Sequence, residues 1–388
     1  MKLASRNNCT ACMCCIDTCN KGALQYNIDN NGYYYIETDK DKCVECGLCT
    51  KACPVLNKPK NTNTASVPYA AWSNNLPQRI NSASGGIFSA IAEEIILNKG
   101  VVYGATIDHF EVKHIRIESI EELHKLQGTK YQQSITTGIY RNIKKDLRDN
   151  RLVLFSGMSC QINALISYLR KQNRDKLYTI DTICGGMSSI MPMLWLKSEG
   201  IYTGIHSFRN KDNGWKSFGY KYALKMNCTN GKVVDLSNHN YVSKTFSSLL
   251  YKRSSCLNCK FVGINRIADC TIGDFWGTQK YSEEHYNGLS CIIVHSERFQ
   301  NLLSRCNITL KQTTWEEITQ DNPNIYWNDK QLIRYLPSRA LALHSLRRKK
   351  TKLIEQLTNY SSFKVLDMRL LLRHLSTKRT KILKKILE

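Results

Sequence analysis

Two short runs of this chain bring enough thiols together to do chemistry. CTACMCCIDTC, from Cys9 to Cys19, and CVECGLCTKAC, from Cys43 to Cys53, share the spacing C-x2-C-x2-C-x3-C, and every matching pair of cysteines stands at the same offset in the chain. Three thiolates at i, i+3 and i+6 on a tight loop reach three irons of one cubane, and the fourth ligand must come from elsewhere. In two-cluster ferredoxins it comes from the other run. Cys9, Cys12 and Cys15 with Cys53 are therefore expected to hold one 4Fe-4S cluster, and Cys43, Cys46 and Cys49 with Cys19 the other. Cys14 is left over as a packed thiol. A pair of zinc sites would also consume eight thiolates, but zinc ligands usually arrive as separated pairs. The first run ends Cys19-Asn20 where the pattern has Cys-Pro, which loosens the backbone without removing a ligand.

Other features bound the setting. The chain opens MKLASRNN with no apolar signal core, and its longest apolar stretch is broken by Glu93 and Glu94, so the expectation is a soluble protein of the reducing cytoplasm. With 388 residues and 42% hydrophobic content there is material for two or three cores. Residues 1–57 read as a ferredoxin-like α+β domain and 58–68, polar and bracketed by prolines, as a linker.

An α/β pattern follows. The small-residue turn Ser84-Gly85-Gly86 opens a helix with apolar positions 87, 91, 95 and 96, and residues 101–107 and 112–117 read as strands around the loop Gln127–Tyr131. Two strand-turn-helix units then succeed one another. Arg151–Phe155 leads through a turn ending at Cys160 to a helix over 161–172. Leu177–Ile183 leads through a turn beginning at Cys184 to a helix over 192–199. Successive units of this kind imply parallel strands, which places Cys160 and Cys184 at one carboxyl edge of a partly parallel sheet, where such sheets bind ligands. Cys256 and Cys259 add a C-x2-C pair. On spacing alone these four either complete a third cluster or are a packed turn and a lone thiol.

The combination of SGG at 84–86, QGTKY at 127–131, LFSGMSCQ at 154–161, DTICGG at 181–186, Gly214-Trp215, the C-x2-C pair and TIGDFWG at 271–277 resembles the coenzyme F420 hydrogenase/dehydrogenase beta-subunit family, over residues 69–310. Members carry electrons between iron-sulfur clusters, FAD and, in archaea, a deazaflavin coenzyme; a plant relative reduces a hydroxymethyl chlorophyll, and many bacterial relatives accompany surface-polysaccharide genes. The resemblance implies an iron-sulfur flavoprotein oxidoreductase with Cys160, Cys184, Cys256 and Cys259 as third-cluster ligands and a small-molecule substrate. The alternative is an adaptor that delivers electrons to a partner enzyme. A flavin needs donors for its pyrophosphate and N1/C2=O edge, which nominates Ser84, Gly85, Gly86 and Lys130. Asp274 is either a proton donor or a turn cap. The family's usual Cys-His-Gly reads Cys184-Gly185-Gly186 here, so no proton transfer can be assigned to that position.

The formal charge is +23, and much of the excess falls in the tail domain, residues 311–388, within Arg347–Lys350 and Lys378–Lys385. A basic helical tail suits an anionic membrane face, an acidic electron donor or acceptor protein, or a partner helix, and no nucleic-acid motif accompanies it.

Overall fold

A computed structural model describes residues 3–63, 66–170, 172–209, 211–212, 214–215, 224–236, 240–276, 280–319, 322–325 and 337–360. The sequence repeat at the N-terminus is also a backbone repeat. Ala11 and Met13 take positive φ of 48° and 61°, and their counterparts in the second run, Glu45 and Gly47, take 50° and 71°. Each left-handed pair folds a thiol-bearing loop back on itself, then releases it into a one-turn helix, Cys14–Thr18 in the first run and Leu48–Ala52 in the second. Between them lies a hairpin of β1 (Leu24–Ile28) and β2 (Tyr34–Thr38).

β3 (Val67–Ser73) starts inside the stretch expected to be a linker, and it belongs to the main sheet. That sheet also takes β4 (Val101–Asp108), β5 (Glu111–Ile117), β6 (Val153–Met158) and β7 (Leu177–Thr182). β8 (Tyr202–Ser207), β9 (Lys225–Cys228) and β10 (Val233–Asp235) form a small separate sheet. β11 (Cys270–Asp274), β12 (Ser290–Val294) and β13 (Ile308–Gln312) complete the main one, in the eight-strand order β13-β3-β12-β11-β7-β6-β4-β5. Its centre, β11, β7, β6 and β4, is parallel and the flanking neighbours are antiparallel. The partly parallel α/β sheet expected from the two successive units is thus present. Its β6 strand runs three residues further than the alternation suggested, because Ser156, Gly157 and Met158 still pair with β7.

The helices Ile87–Leu97 and Glu297–Leu303 pack with Val102, Leu154, Ile180 and Ile292 of the sheet in one core. Ile139–Arg148 and Ser159–Leu169 contribute to a second. Cys12, Cys14 and Ala52 of the ferredoxin segment are members of that second core, so the thiol loops and the sheet domain share one apolar interior. The helices Pro337–Arg347 and Thr351–Tyr360 pack on Leu250 and Tyr251. The basic run Lys378–Lys385 lies outside the described residues.

His114 on β5 is buried, with Nε2 donating to the Ser156 carbonyl at 2.9 Å and Nδ1 left without a partner. Burial pushes its pKa down to about 4. Its folded value lies below the ordinary one, so the unfolded chain binds the extra proton as pH falls and stability is lost on the acid side. Between pH 7 and pH 5 this single group is expected to withdraw about 2 kcal/mol. Urea unfolding of the anaerobically purified chain at the two pH values should show a correspondingly smaller loss for His114→Gln.

Candidate electron-transfer site

The ferredoxin loops are held from outside by their backbone. Arg253 Nε donates to the Cys9 carbonyl at 2.8 Å, Gln133 Nε2 to those of Thr10 and Ala11, and the hydroxyls of Thr136 and Tyr140 both donate to that of Cys12 at 2.9 Å. The buried Asp17 carboxylate caps the Ile139–Arg148 helix from a distant part of the chain, accepting from the amides of Gly138 and Tyr140 at 2.6 and 3.0 Å. A carboxylate there meets the positive end of the helix dipole and satisfies amides that the helix cannot. Arg141 returns the contact by donating to the Ile16, Asp17 and Cys19 carbonyls. Cys14 is fully buried, and its thiol donates to the carbonyls of Ala52 and Ala164 at 3.4 Å each. It ties both cysteine runs to the helix that carries Cys160 and points away from a ligand role.

Within the first run Cys9, Cys12 and Cys15 lie in electrostatic reach of one another and of Cys53, from the second run. Cys14 also acts on Cys15. Burial raises the Cys12 thiol to about 12, with Cys9 and Cys53 adding to the rise, so as a bare thiol Cys12 stays protonated. Only a strongly cationic centre would stabilise several thiolates at this depth, which is the chemistry iron supplies. The start of the second run faces outward, with Cys46 exposed, Cys43 half-buried and Val44 61% exposed, while Cys49 is buried.

The second gathering of thiols comes from three stretches of the α/β domain. Met158 and Thr182 end β6 and β7 directly opposite each other, and Cys160 and Cys184 each follow two residues later. Burial raises the Cys160 thiol strongly, and the thiols that add to the rise are Cys259, Cys12, Cys256 and Cys184. Cys160 thus lies within electrostatic reach of Cys184, Cys256 and Cys259 and of Cys12 in the ferredoxin segment. Backbone amides point at the sulfurs: Gly186 N lies 3.3 Å from Cys184 Sγ, Met187 N 3.4 Å from Cys256 Sγ and Phe261 N 3.4 Å from Cys259 Sγ. Amide donation to sulfur is how proteins stabilise and tune iron-sulfur clusters. Gly186, at φ 101°, has room for this turn only as glycine, since a Cβ would come within 3.0 Å of the Cys256 side chain. Among the described residues no three His, Cys, Asp or Glu side chains close around a point where a single metal ion would sit. A four-iron cubane asks for a wider spacing than that, because each thiolate binds a different iron.

The residues nominated for a flavin gather at the same sheet edge. Asp274, Ser290 and Ala71 occupy one register row across β11, β12 and β3. Against it lies the Ser84–Gly86 turn: Ser84 Oγ donates to the Leu289 carbonyl at 2.7 Å, the Gly85 amide to Ser290 Oγ at 2.8 Å, and Gly86 opens the following helix. A Cβ on Gly85 would meet the Ala71 carbonyl at 2.5 Å, so this turn is pressed onto the sheet. Lys130 is not a solvated surface lysine. Its ammonium donates to the Leu126, Gln127 and Gly128 carbonyls, and burial lowers its pKa to about 7. Asp274 is ion-paired with Arg209 at 2.9 Å and accepts from Trp215 Nε1 at 3.1 Å. Trp215 and Trp276 stack on each other, with centroids 4.7 Å apart and planes 5° from parallel. Gly185 borders the Asn324 side chain, where a histidine is usual in the family it resembles.

Several residues here carried no signal in the sequence. Arg209 is buried, with Nη2 unpartnered and Tyr131 hydrogen-bonded to its guanidinium. Lys211 donates to the Arg79, Ser84 and Asn287 carbonyls, tying the SGG turn to the loop before β12. An isolated arginine or lysine in a chain of charge +23 looks like solvated surface until the fold buries it.

Residues 150–319 match the family model for the C-terminal part of the coenzyme F420 hydrogenase/dehydrogenase beta chain. Residues 34–55 match a 4Fe-4S binding domain. An uncharacterized ferredoxin of Methanocaldococcus jannaschii is 38% identical over 52 residues, which are 13% of this chain and 66% of that protein, slightly under two thirds of its length. A chain of the F420-reducing NiFe hydrogenase complex from Methanosarcina barkeri superposes with a TM-score of 0.44 at 14% identity, over 79% of this chain and 94% of its own length. The class is therefore an iron-sulfur electron-transfer protein with a 4Fe-4S-binding segment in front. Over residues 150–319, less than half of its length, the chain is similar to the C-terminal part of the coenzyme F420 hydrogenase/dehydrogenase beta-subunit family. No helix among the described residues is long and apolar enough to cross a membrane.

If Cys14 only packs, Cys14→Ala keeps the full iron content while losing the one buried S–H donor that the Ala52 and Ala164 carbonyls share. The expected cost is about 1–2 kcal/mol, read by urea unfolding beside an iron assay of the same sample. Loss of four irons would make Cys14 a ligand.

Proposed function

We propose that this chain is a cytoplasmic oxidoreductase with three 4Fe-4S clusters and FAD, acting on a small molecule. Cys9, Cys12, Cys15 and Cys53 would hold one cluster, Cys43, Cys46, Cys49 and Cys19 a second, and Cys160, Cys184, Cys256 and Cys259 a third. The clusters supply one-electron carriers, and FAD supplies conversion between one- and two-electron chemistry. The observation that carries this reading is the convergence of thiol-bearing stretches: Met158 and Thr182 end neighbouring parallel strands opposite each other, two residues before Cys160 and Cys184, and the Met187 amide lies 3.4 Å from Cys256 Sγ.

The chain's own residues have definable work. Arg253, Gln133, Thr136 and Tyr140 clamp the first thiol loop against the sheet domain and exclude water from it. The exposed Cys46 loop gives a partner electron carrier access to the outermost site. Support for a flavin at the carboxyl edge comes from Arg209 Nη2, an unpartnered donor beside Asp274. Asp274 orients Arg209 in this reading. Surface-polysaccharide precursors head the substrate screen because bacterial proteins of similar motif pattern accompany such genes, and a deazaflavin belongs in the same screen.

One observation favours the second reading, an adaptor that passes electrons to a partner enzyme. The hydroxyl of Ser84, the amide of Gly85 and the ammonium of Lys130 are all spent on partners inside the chain. The two readings part on composition. Anaerobically purified protein is expected to carry about 12 irons and one FAD, and Cys256→Ala about 8 irons. About 8 irons and no flavin in the unaltered chain would overturn the three-cluster reading and leave the adaptor.

A further inference from the structure

The four thiols at the sheet's carboxyl edge sit on three stretches of chain, and a single guanidinium touches all three. Arg266, 4% exposed, donates through Nη1 to Ser159 Oγ at 2.7 Å, immediately before Cys160. The same nitrogen reaches the Thr182 carbonyl at 3.3 Å, two residues before Cys184. Its Nε donates to the Gly263 carbonyl at 2.9 Å, on the loop that follows Cys256 and Cys259. Arg266 is ion-paired at 3.1 Å with Asp181, 1% exposed and three residues before Cys184. Asp181 is itself held by the hydroxyls of Ser159 and Thr271, and Thr271 Oγ1 lies 2.8 Å from His295 Nε2.

We propose that Arg266 is the positioning residue of the Cys160/Cys184/Cys256/Cys259 site and that the Arg266–Asp181 pair sets the reduction potential of the cluster bound there. This deepens the three-cluster reading and rests on it. The clamp is geometric: three loops far apart in the chain keep their thiols facing one centre because one planar group with fixed donor directions spans them. The electrostatic part follows from charge. A 4Fe-4S centre gains one electron and one negative charge on reduction, and a buried charge is weakly screened. Arginine favours the reduced form, aspartate the oxidised form, and the intact pair balances them. Removing either partner leaves the other uncompensated.

The two single substitutions must therefore move the potential in opposite directions, a result that loosened packing does not produce. The test is an EPR-monitored redox titration of the anaerobically purified full chain and its Arg266→Gln, Arg266→Lys and Asp181→Asn variants, each with iron quantified. Expected are a downward shift of one cluster signal in Arg266→Gln, an upward shift of the same signal in Asp181→Asn, and a value close to the unaltered chain in Arg266→Lys. The other signals stay in place. If Arg266→Gln sheds about four irons, the clamp is supported and Asp181→Asn, which keeps the arginine, carries the potential measurement. Iron retained with no shift, or shifts of the same sign in both variants, overturns the proposal. An unaltered chain with about 8 irons instead overturns the three-cluster reading beneath it.

Discussion

Everything distinctive in this molecule depends on how the Cys9–Cys19 loop is fastened to the sheet domain. Beyond the apolar packing of Ala11, Met13 and Ile16, the loop is held by its carbonyls. Two hydroxyls, from Thr136 and Tyr140, converge on the carbonyl of Cys12, and Arg253 takes that of Cys9. Asp17 answers by capping the helix that Tyr140 belongs to. Each of these bonds joins distant parts of the chain, so they fix the place of the loop against the α/β domain. The thiols gain a dry environment, and Cys12 gains Cys160 as a neighbour.

The same arrangement explains why Cys14 exists. It lies inside a ligand run at a position the repeat does not use, and its counterpart in the second run is Leu48. A leucine there would bury more apolar area but could donate nothing. The thiol is small enough for a site with no exposed surface and satisfies two carbonyls, from Ala52 and Ala164, that belong to different parts of the fold.

At the carboxyl edge of the sheet the organising principle is compensation of buried charge. Arg266 pairs with Asp181 and Arg209 with Asp274, and at the opposite end of β11 Arg298 pairs with Asp269 at 2.7 Å. Lys130 and Lys211, lacking carboxylates, are each ringed by three carbonyls. Burying a charge without such partners costs several kcal/mol, so the edge is built as a set of neutral or dipole-solvated units. The unpartnered Nη2 of Arg209 stands out against that background, and it adjoins the Trp215–Trp276 stack.

The sequence by itself determined the two thiol loops, because ligand spacing on a tight turn is a local matter and the repeat reproduces both the cysteines and the left-handed positions between them. It also determined the β6-helix-β7 unit, because apolar periodicity reports local structure, and with it the edge where Cys160 and Cys184 emerge. Only the tertiary structure decided that Cys256 and Cys259 come to the same place, that Cys160 adjoins Cys12, and that the end of the expected linker pairs as a strand. It also decided which of 55 lysines and arginines are drawn into the fold: Lys130, Arg209 and Lys211 turn their charged ends onto internal partners, and Arg266 is buried. The physical reason is the range of the interaction. Turn geometry and helical period act over a few residues and are written in the neighbouring letters, whereas burial of a charge is settled by partners in distant parts of the chain that no local pattern names.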